Sequence, residues 1–166
     1  RVETSNTRRI VRALEVIEIT GRPFSASLPR YEDIAPTVHI ALRCERRLLD
    51  KRINERARAM FDGDLVEEVE ALIDQGIREG ETAPRAIGYA QALAVIDGTM
   101  SVPEAVDSTA LATRQLASRQ IKWFRRDPRL HWIDVALTET GQCTDSERSR
   151  LTRRAWEFVS EHRGVA

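Results

Sequence analysis

A chain of 166 residues is long enough for one domain of ordinary size, or for part of a larger one. With 42% hydrophobic and 31% charged residues it supports a packed core and a charged surface, and no apolar run approaches the ~18 residues of a membrane-crossing helix. The formal charge is zero, no secretory signal is visible at the polar start, and Cys44 and Cys143 lie far apart without a CxxC pair, so neither a disulfide framework nor a zinc site with His39, His131 or His162 is expected, and a reducing cytoplasm is.

The first helix is predicted from about Asn6 or Thr7 to Thr20, with Ile10, Ala13, Leu14 and Ile17 at helical spacing and Gly21 and Pro23 as its stop. Residues 22–36 read as a loop. Residues 37–42, Thr-Val-His-Ile-Ala-Leu, read as a strand apolar on both faces, which belongs inside a sheet. A second helix follows from Glu45 to Asp62, stopped by Gly63. Asp64-Leu65-Val66-Glu67 has the form of a capping box opening a third helix to Gly76. Residues 77–88 form a loop, and a short helix runs from Tyr89 to Asp97. Ser101-Val102-Pro103-Glu104 is a second capping box and opens the longest helix, to about Arg125. On it Val106, Ala110, Thr113, Ala117, Gln120 and Phe124 make one stripe, and Arg114, Ser118, Lys122 and Arg125 another. His131 to Val135 suggests a second short strand, and Thr144 caps a last helix to His162. The fold class is therefore mainly α with one or two short strands. Two strands cannot form a useful sheet alone, so residues 37–42 call for strands that this sequence does not supply.

Charge is segregated along this plan. Residues 61–81 hold eight carboxylates against Arg78 alone, whereas residues 112–129 hold Arg114, Arg119, Lys122, Arg125, Arg126 and Arg129 against Asp127 alone. A basic element of this kind suits a polyanion such as nucleic acid, and arginine adds bidentate phosphate contacts.

Five segments in order carry a family resemblance: RRIVRALEVIEITGRPFS (8–25), RLLDKRINERARAMFDGDLVEEVEAL (47–72), RAIGYAQAL (85–93), GTMSVPEAV (98–106) and TRQLASRQIKWFRRD (113–127), with Trp132 and Asp134 in a short tail strand. Over residues 5–135 the chain resembles the tRNA dimethylallyltransferases, also called tRNA isopentenyltransferases. The resemblance implies the C-terminal portion of a P-loop α/β prenyltransferase, with residues 136–166 a linker and helix of unknown role. It also implies transfer of a dimethylallyl group from dimethylallyl diphosphate to N6 of the adenosine 3′ of the anticodon. The family's P-loop and general-base aspartate are absent: neither Lys51 nor Lys122 follows a glycine, so no GxxxxGK[ST] exists. A missing P-loop half is thus an expected partner, beside the tRNA anticodon stem-loop and dimethylallyl diphosphate. Mg2+ is expected for the complete enzyme, with no ligands identified in this chain. Asp50 and Ala90 depart from the tyrosine and the basic residue common in the family, and no C-terminal zinc finger is present, which favours a bacterial type.

The resemblance assigns roles to named residues. Arg8, Arg9, Ile10, Val11 and Arg12 match a tRNA-contacting segment; the bland alternative is a solvated helix face. Arg56 matches the catalytic position that meets the donor diphosphate, with Arg52 as a second contact. From spacing alone Arg56 shares a stripe with Leu49, Ile53 and Met60, so it is expected to face the packed side and to need an anion, either diphosphate or an acidic residue of the next helix. Pro84, Arg85, Ala86, Ile87, Gly88 and Tyr89 form a loop entering a helix, where glycine permits close approach and the helix start favours phosphate; in the family this segment meets tRNA. Ser118, Arg119, Gln120, Ile121, Lys122, Trp123, Phe124 and Arg125 combine cations with aromatics, which suits a phosphate backbone and an unstacked base. The alternative is a core role for Trp123 and Phe124 and a solvated basic face. Against the enzyme fragment stand a stand-alone helical RNA-binding module without chemistry and a DNA-binding or scaffold domain.

Overall fold

The computed structural model describes residues 7–24 and 31–162. Asn6 and residues 25–30 of the predicted loop lie outside them. The chain divides into two compact units, residues 1–32 and 33–166, each taken by itself.

The first unit holds helix α1, Thr7–Thr20. It ends as predicted, where the amide of Gly21 donates to the Ile17 carbonyl at 2.8 Å. Its apolar stripe is only partly covered: Ala13 is buried, but Leu14 and Ile17 are 60% and 41% exposed.

The second unit is built around helices. They are α2 (Arg46–Asp62), α3 (Leu65–Ile73), α4 (Tyr89–Ile96), α5 (Val102–Phe124) and α6 (Asp145–His162). Helix α2 packs on α5, and α4 packs on both α3 and α5. Their shared core is Ile53, Ala57 and Phe61 of α2, Leu65 and Val69 of α3, Ala92 and Leu93 of α4, and Ala105, Val106 and Ala110 of α5, joined by Ile77 from the segment between α3 and α4. The i, i+4, i+8 spacing of Ile53, Ala57 and Phe61 places one face of α2 inward. The predicted loop 77–88 contains two 3-10 turns, Ile77–Glu79 and Ala83–Arg85.

The capping boxes behave differently. The Ser101 amide and hydroxyl both donate to Glu104 Oε2, at 2.8 and 2.6 Å, so the Glu half of that box holds the start of α5. Asp64 makes no side-chain cap; its carbonyl accepts from the Glu68 amide instead. Helix α3 also ends three residues earlier than predicted, at Ile73, because Gly76 adopts a positive φ of 83°.

Strands β1 (His39–Arg43) and β2 (Leu130–Asp134) pair in parallel, His39 opposite Leu130 through Arg43 opposite Asp134. No further strand joins them among the described residues, and Leu42 of β1 stays 58% exposed. At the C-terminal end of the pair, Arg43 donates to both oxygens of Asp134 at 2.6 and 3.1 Å.

The tail beyond β2 is seated on both strand and helix. Glu147 of α6 is 8% exposed and accepts from the Ala136 amide and the Arg150 guanidinium, each at 2.7 Å. The turn Thr138–Gly141 lies against α2. Lys51 donates to the Glu139 carbonyl at 2.8 Å and Arg47 to the Glu139 carboxylate at 3.0 Å. Gly141 has φ 77°, and a Cβ there would sit 2.9 Å from the Leu48 carbonyl oxygen and 3.0 Å from the Arg52 amide.

Candidate nucleic-acid interface

Many of the cations are engaged within the protein. Arg43, Arg46, Arg47, Arg78, Arg129, Arg148, Arg150 and Arg154 each meet a carboxylate. Among the described residues a different set has no side-chain hydrogen bond or ion pair: Arg8, Arg56, Arg85, Arg119, Lys122, Arg125 and Arg126 are in it. Six of these seven are sequence-predicted contact residues. Four lie within two turns at the end of α5, where the one nearby carboxylate, Asp127, is held by Arg129 at 2.7 Å. That pairing keeps the Asp127 carboxyl near 2, well below its ordinary range, so it stays ionised and committed to Arg129.

Helix α5 presents this stripe because its burial fades toward the C-terminus. Ala105, Val106, Thr109 and Ala110 are buried, Thr113 and Ala117 partly so, but Gln120 is exposed and Phe124 is 39% exposed. The predicted apolar stripe therefore ends near Ala117. Trp123 is 62% exposed and meets Phe124 edge-on, ring centres 5.0 Å apart, so neither ring is core. Ser118 is tied down: its hydroxyl donates to the Arg114 carbonyl at 2.9 Å and accepts from Arg46 at 2.8 Å. Ile121 is half-buried on the side facing the strands.

Arg56 corrects its predicted orientation. The buried stripe is Ile53, Ala57 and Phe61, and Arg56 stands one residue off it, exposed. The alternative partner, an acidic side chain of the next helix, is not engaged either. Arg52, also exposed, is held by the Gly141 carbonyl at 3.4 Å.

Residues 84–89 form a turn packed at one end. Pro84 is half-buried, while Arg85, Ala86 and Ile87 are exposed. Gly88 is buried with φ 100°, and a Cβ there would reach 3.0 Å from the Met60 methyl. Its amide donates to Gln91 Oε1 at 2.9 Å, so anion attraction at this helix start rests on Arg85. Tyr89 packs against the core and donates its hydroxyl to Glu68, which raises the phenol pKa.

In the first unit Arg8 is exposed, Arg12 pairs with Glu15 at 3.2 Å, Arg9 is engaged, Ile10 is half-buried and Val11 exposed. Among the described residues no group of three or more His, Cys, Asp or Glu is placed to hold a metal ion. No helix is long and apolar enough to cross a membrane.

Two cavities flank the strand pair. One, of about 610 Å3, is mainly apolar, with Ile40, Leu49, Phe124 and Leu137 in its wall. The other, of about 660 Å3, is lined by Arg43, Cys44, Arg46, Leu49, Ser118, Ile121, Lys122, Arg125 and Trp132. Spacing did not reveal Arg43 or Arg46, because Arg46 meets α5 across 72 residues and Arg43 meets Asp134 across 91. The one local signal was a cation at the start of a helix, where the dipole disfavours it.

Comparison with known proteins places these features in a family. Residues 1–127 match the family model described as IPP transferase. The chain is 53% identical over 142 residues to a tRNA dimethylallyltransferase of Streptomyces avermitilis, covering 84% of this chain and 46% of that protein. It is 54% identical over 155 residues to one of Streptomyces coelicolor, covering 93% and 47%. The solved full-length tRNA isopentenylpyrophosphate transferase of Bacillus halodurans superposes with a TM-score of 0.63 at 30% identity, over 97% of this chain and 48% of that one. The chain thus spans about half the length of the relatives it matches. By sequence and fold alike, it belongs to the IPP transferase family, whose relatives here are tRNA dimethylallyltransferases.

Proposed function

We propose that this chain supplies the tRNA-gripping surface and a diphosphate-contacting arginine of a cytoplasmic tRNA dimethylallyltransferase. The observation that carries it is the set of exposed cations without a carboxylate partner, concentrated at Arg119, Lys122, Arg125 and Arg126. Phosphate oxygens are their natural counter-charges, and Trp123 beside them offers a face to an unstacked base.

The reaction proposed is attack by the exocyclic N6 of the adenosine 3′ of the anticodon on C1 of dimethylallyl diphosphate. The C1–O bond breaks, its electron pair leaves with diphosphate, and N6 gives its proton to a base. The P-loop and that base belong to a segment outside this chain. What Arg56 contributes is a cation near the oxygen on which charge develops, with Arg52 one turn earlier held by Gly141. Among the described residues no group of His, Cys, Asp or Glu side chains is placed to hold Mg2+.

The test is binding of an anticodon stem-loop RNA to the full chain. Arg119→Ala with Lys122→Ala should weaken binding about tenfold or more near 0.1 M salt and make the slope of log K against log salt shallower by about 1 to 2. Unchanged affinity at low and high salt would reject the interface.

A further inference from the structure

We propose that the cavity between the ends of the two strands and the last turns of α5 is a nucleotide subsite, taking one RNA phosphate on Arg43 and Arg46 with its base against Leu49, Ile121 and Trp132. This rests on the RNA-binding role proposed above, and its two phosphate-binding residues, Arg43 and Arg46, lie between the segments that carry the resemblance.

Three observations converge on it. The first is charge. Arg43, Arg46, Lys122 and Arg125 line the cavity, and the carboxylates that meet them are Asp134, on Arg43, and Asp50, on Arg46. Four cations against two carboxylates leave an excess of two positive charges. Lys122 and Arg125 have no partner among the described residues. The second is shape. At about 660 Å3 the cavity lies in the range of small-ligand sites, and Leu49, Ile121 and Trp132 give it an apolar wall. A cationic mouth over an apolar wall fits an anion with a flat apolar body, which a nucleotide is. The third is position. Arg43 and Asp134 are the last residues of two parallel strands, the end at which parallel sheets receive ligands.

The geometry permits the exchange that binding requires. Arg43 and Asp134 have side chains 55% and 74% exposed, so their pair contributes little stability and a phosphate can replace the carboxylate in the same bidentate geometry. Arg46 is braced by Ser118 at 2.8 Å and the Arg114 carbonyl at 3.4 Å, which fixes its guanidinium between α2 and α5 at little further entropic cost.

The experiment uses the full chain and an anticodon stem-loop RNA carrying 4-thiouridine in its loop. Arg43→Gln should weaken binding about five- to tenfold and make the salt slope shallower by about 1, with the thermal midpoint unchanged. Crosslinked peptides should include residues 43–49 or Trp132. Where Arg43→Gln disturbs folding, Arg43→Lys keeps the charge, should keep most of the binding, and leaves the crosslink map to decide. Crosslinks that avoid both segments, or an unchanged affinity and slope in Arg43→Gln while Arg119→Ala with Lys122→Ala weakens binding, overturn the subsite and leave the RNA interface standing. No binding by the wild-type chain overturns both. Inorganic diphosphate that competes in the absence of any crosslink at 43–49 or Trp132 assigns the cavity to a free anion and also overturns the proposal.

Discussion

Glu147 is the carboxylate on which the tail depends. Buried at the first turn of α6, it answers the Arg150 guanidinium and the Ala136 amide, and these hold its carboxyl down to about 2. A carboxyl depressed by folding contributes stability above its ordinary value of 4.5, and that contribution is lost as pH falls from there through about 2. Glu147→Gln should therefore lower the thermal midpoint at pH 7 and flatten its fall on acidification over that window. Parallel curves for the variant and the wild type would show that Glu147 does not anchor the tail. Arg56 belongs to the opposite kind of residue, exposed and unpaired among the described residues. In a catalytically competent preparation of the protein, Arg56→Ala should reduce kcat/KM for dimethylallyl diphosphate by about 10²-fold while tRNA affinity stays unchanged. Unchanged kinetics would remove Arg56 from the diphosphate site. Spacing identified this residue but mistook its direction. It lies at the edge of an apolar stripe, and a 100° step per residue cannot separate the edge from the centre without knowing which neighbour packs there.

At the scale of elements, the helices were legible because period, cap and stop agreed. Ser101 with Glu104 opened α5 as written, and Gly21 and Gly63 closed α1 and α2. Asp64 shows the limit of such a signal, since a carboxylate at a cap position competes with solvent and here makes no cap bond. The strap from Thr138 to Gly141 was not legible at all. It is defined by contacts with Leu48, Lys51 and Arg52 some 90 residues earlier, which no local pattern encodes. Its seat on α2 makes Gly141 hard to replace. Gly141→Ala should lower unfolding free energy by roughly 2 kcal/mol, from a positive φ and a clash with backbone that has no room to move. A urea denaturation midpoint equal to wild type would mean that the strap is not seated there. The same substitution shifts the group that holds Arg52, so the strap and the Arg52 side chain are mechanically linked.

Across the whole molecule, a net charge of zero hides a separation along the chain. The carboxylates of residues 61–81 run from the end of α2 through α3 and past it, and the unpaired cations lie at and just beyond the end of α5. The fold class and the basic stripe followed from sequence because both are periodic and local. The cavity that joins α5 to the strand ends was invisible for the opposite reason: its walls come from residues 43–49, 118–125 and 132. β1 was read as apolar on both faces, and beside its one partner strand among the described residues Leu42 remains exposed.

The pairing of β1 with β2 has a consequence in time. Residue 43 meets residue 134 only after the chain between them has been gathered in, a closure over 91 positions that the compact helices α2 to α5 shorten to a small gap. The strand pair is thus expected to close after the helices α2 to α5 and to open before them. Amide exchange at Ile40 to Leu42 should proceed by a partial opening that leaves Val69 and Ala92 protected; equal protection at all of these sites would mean that the strands and the helical core open together.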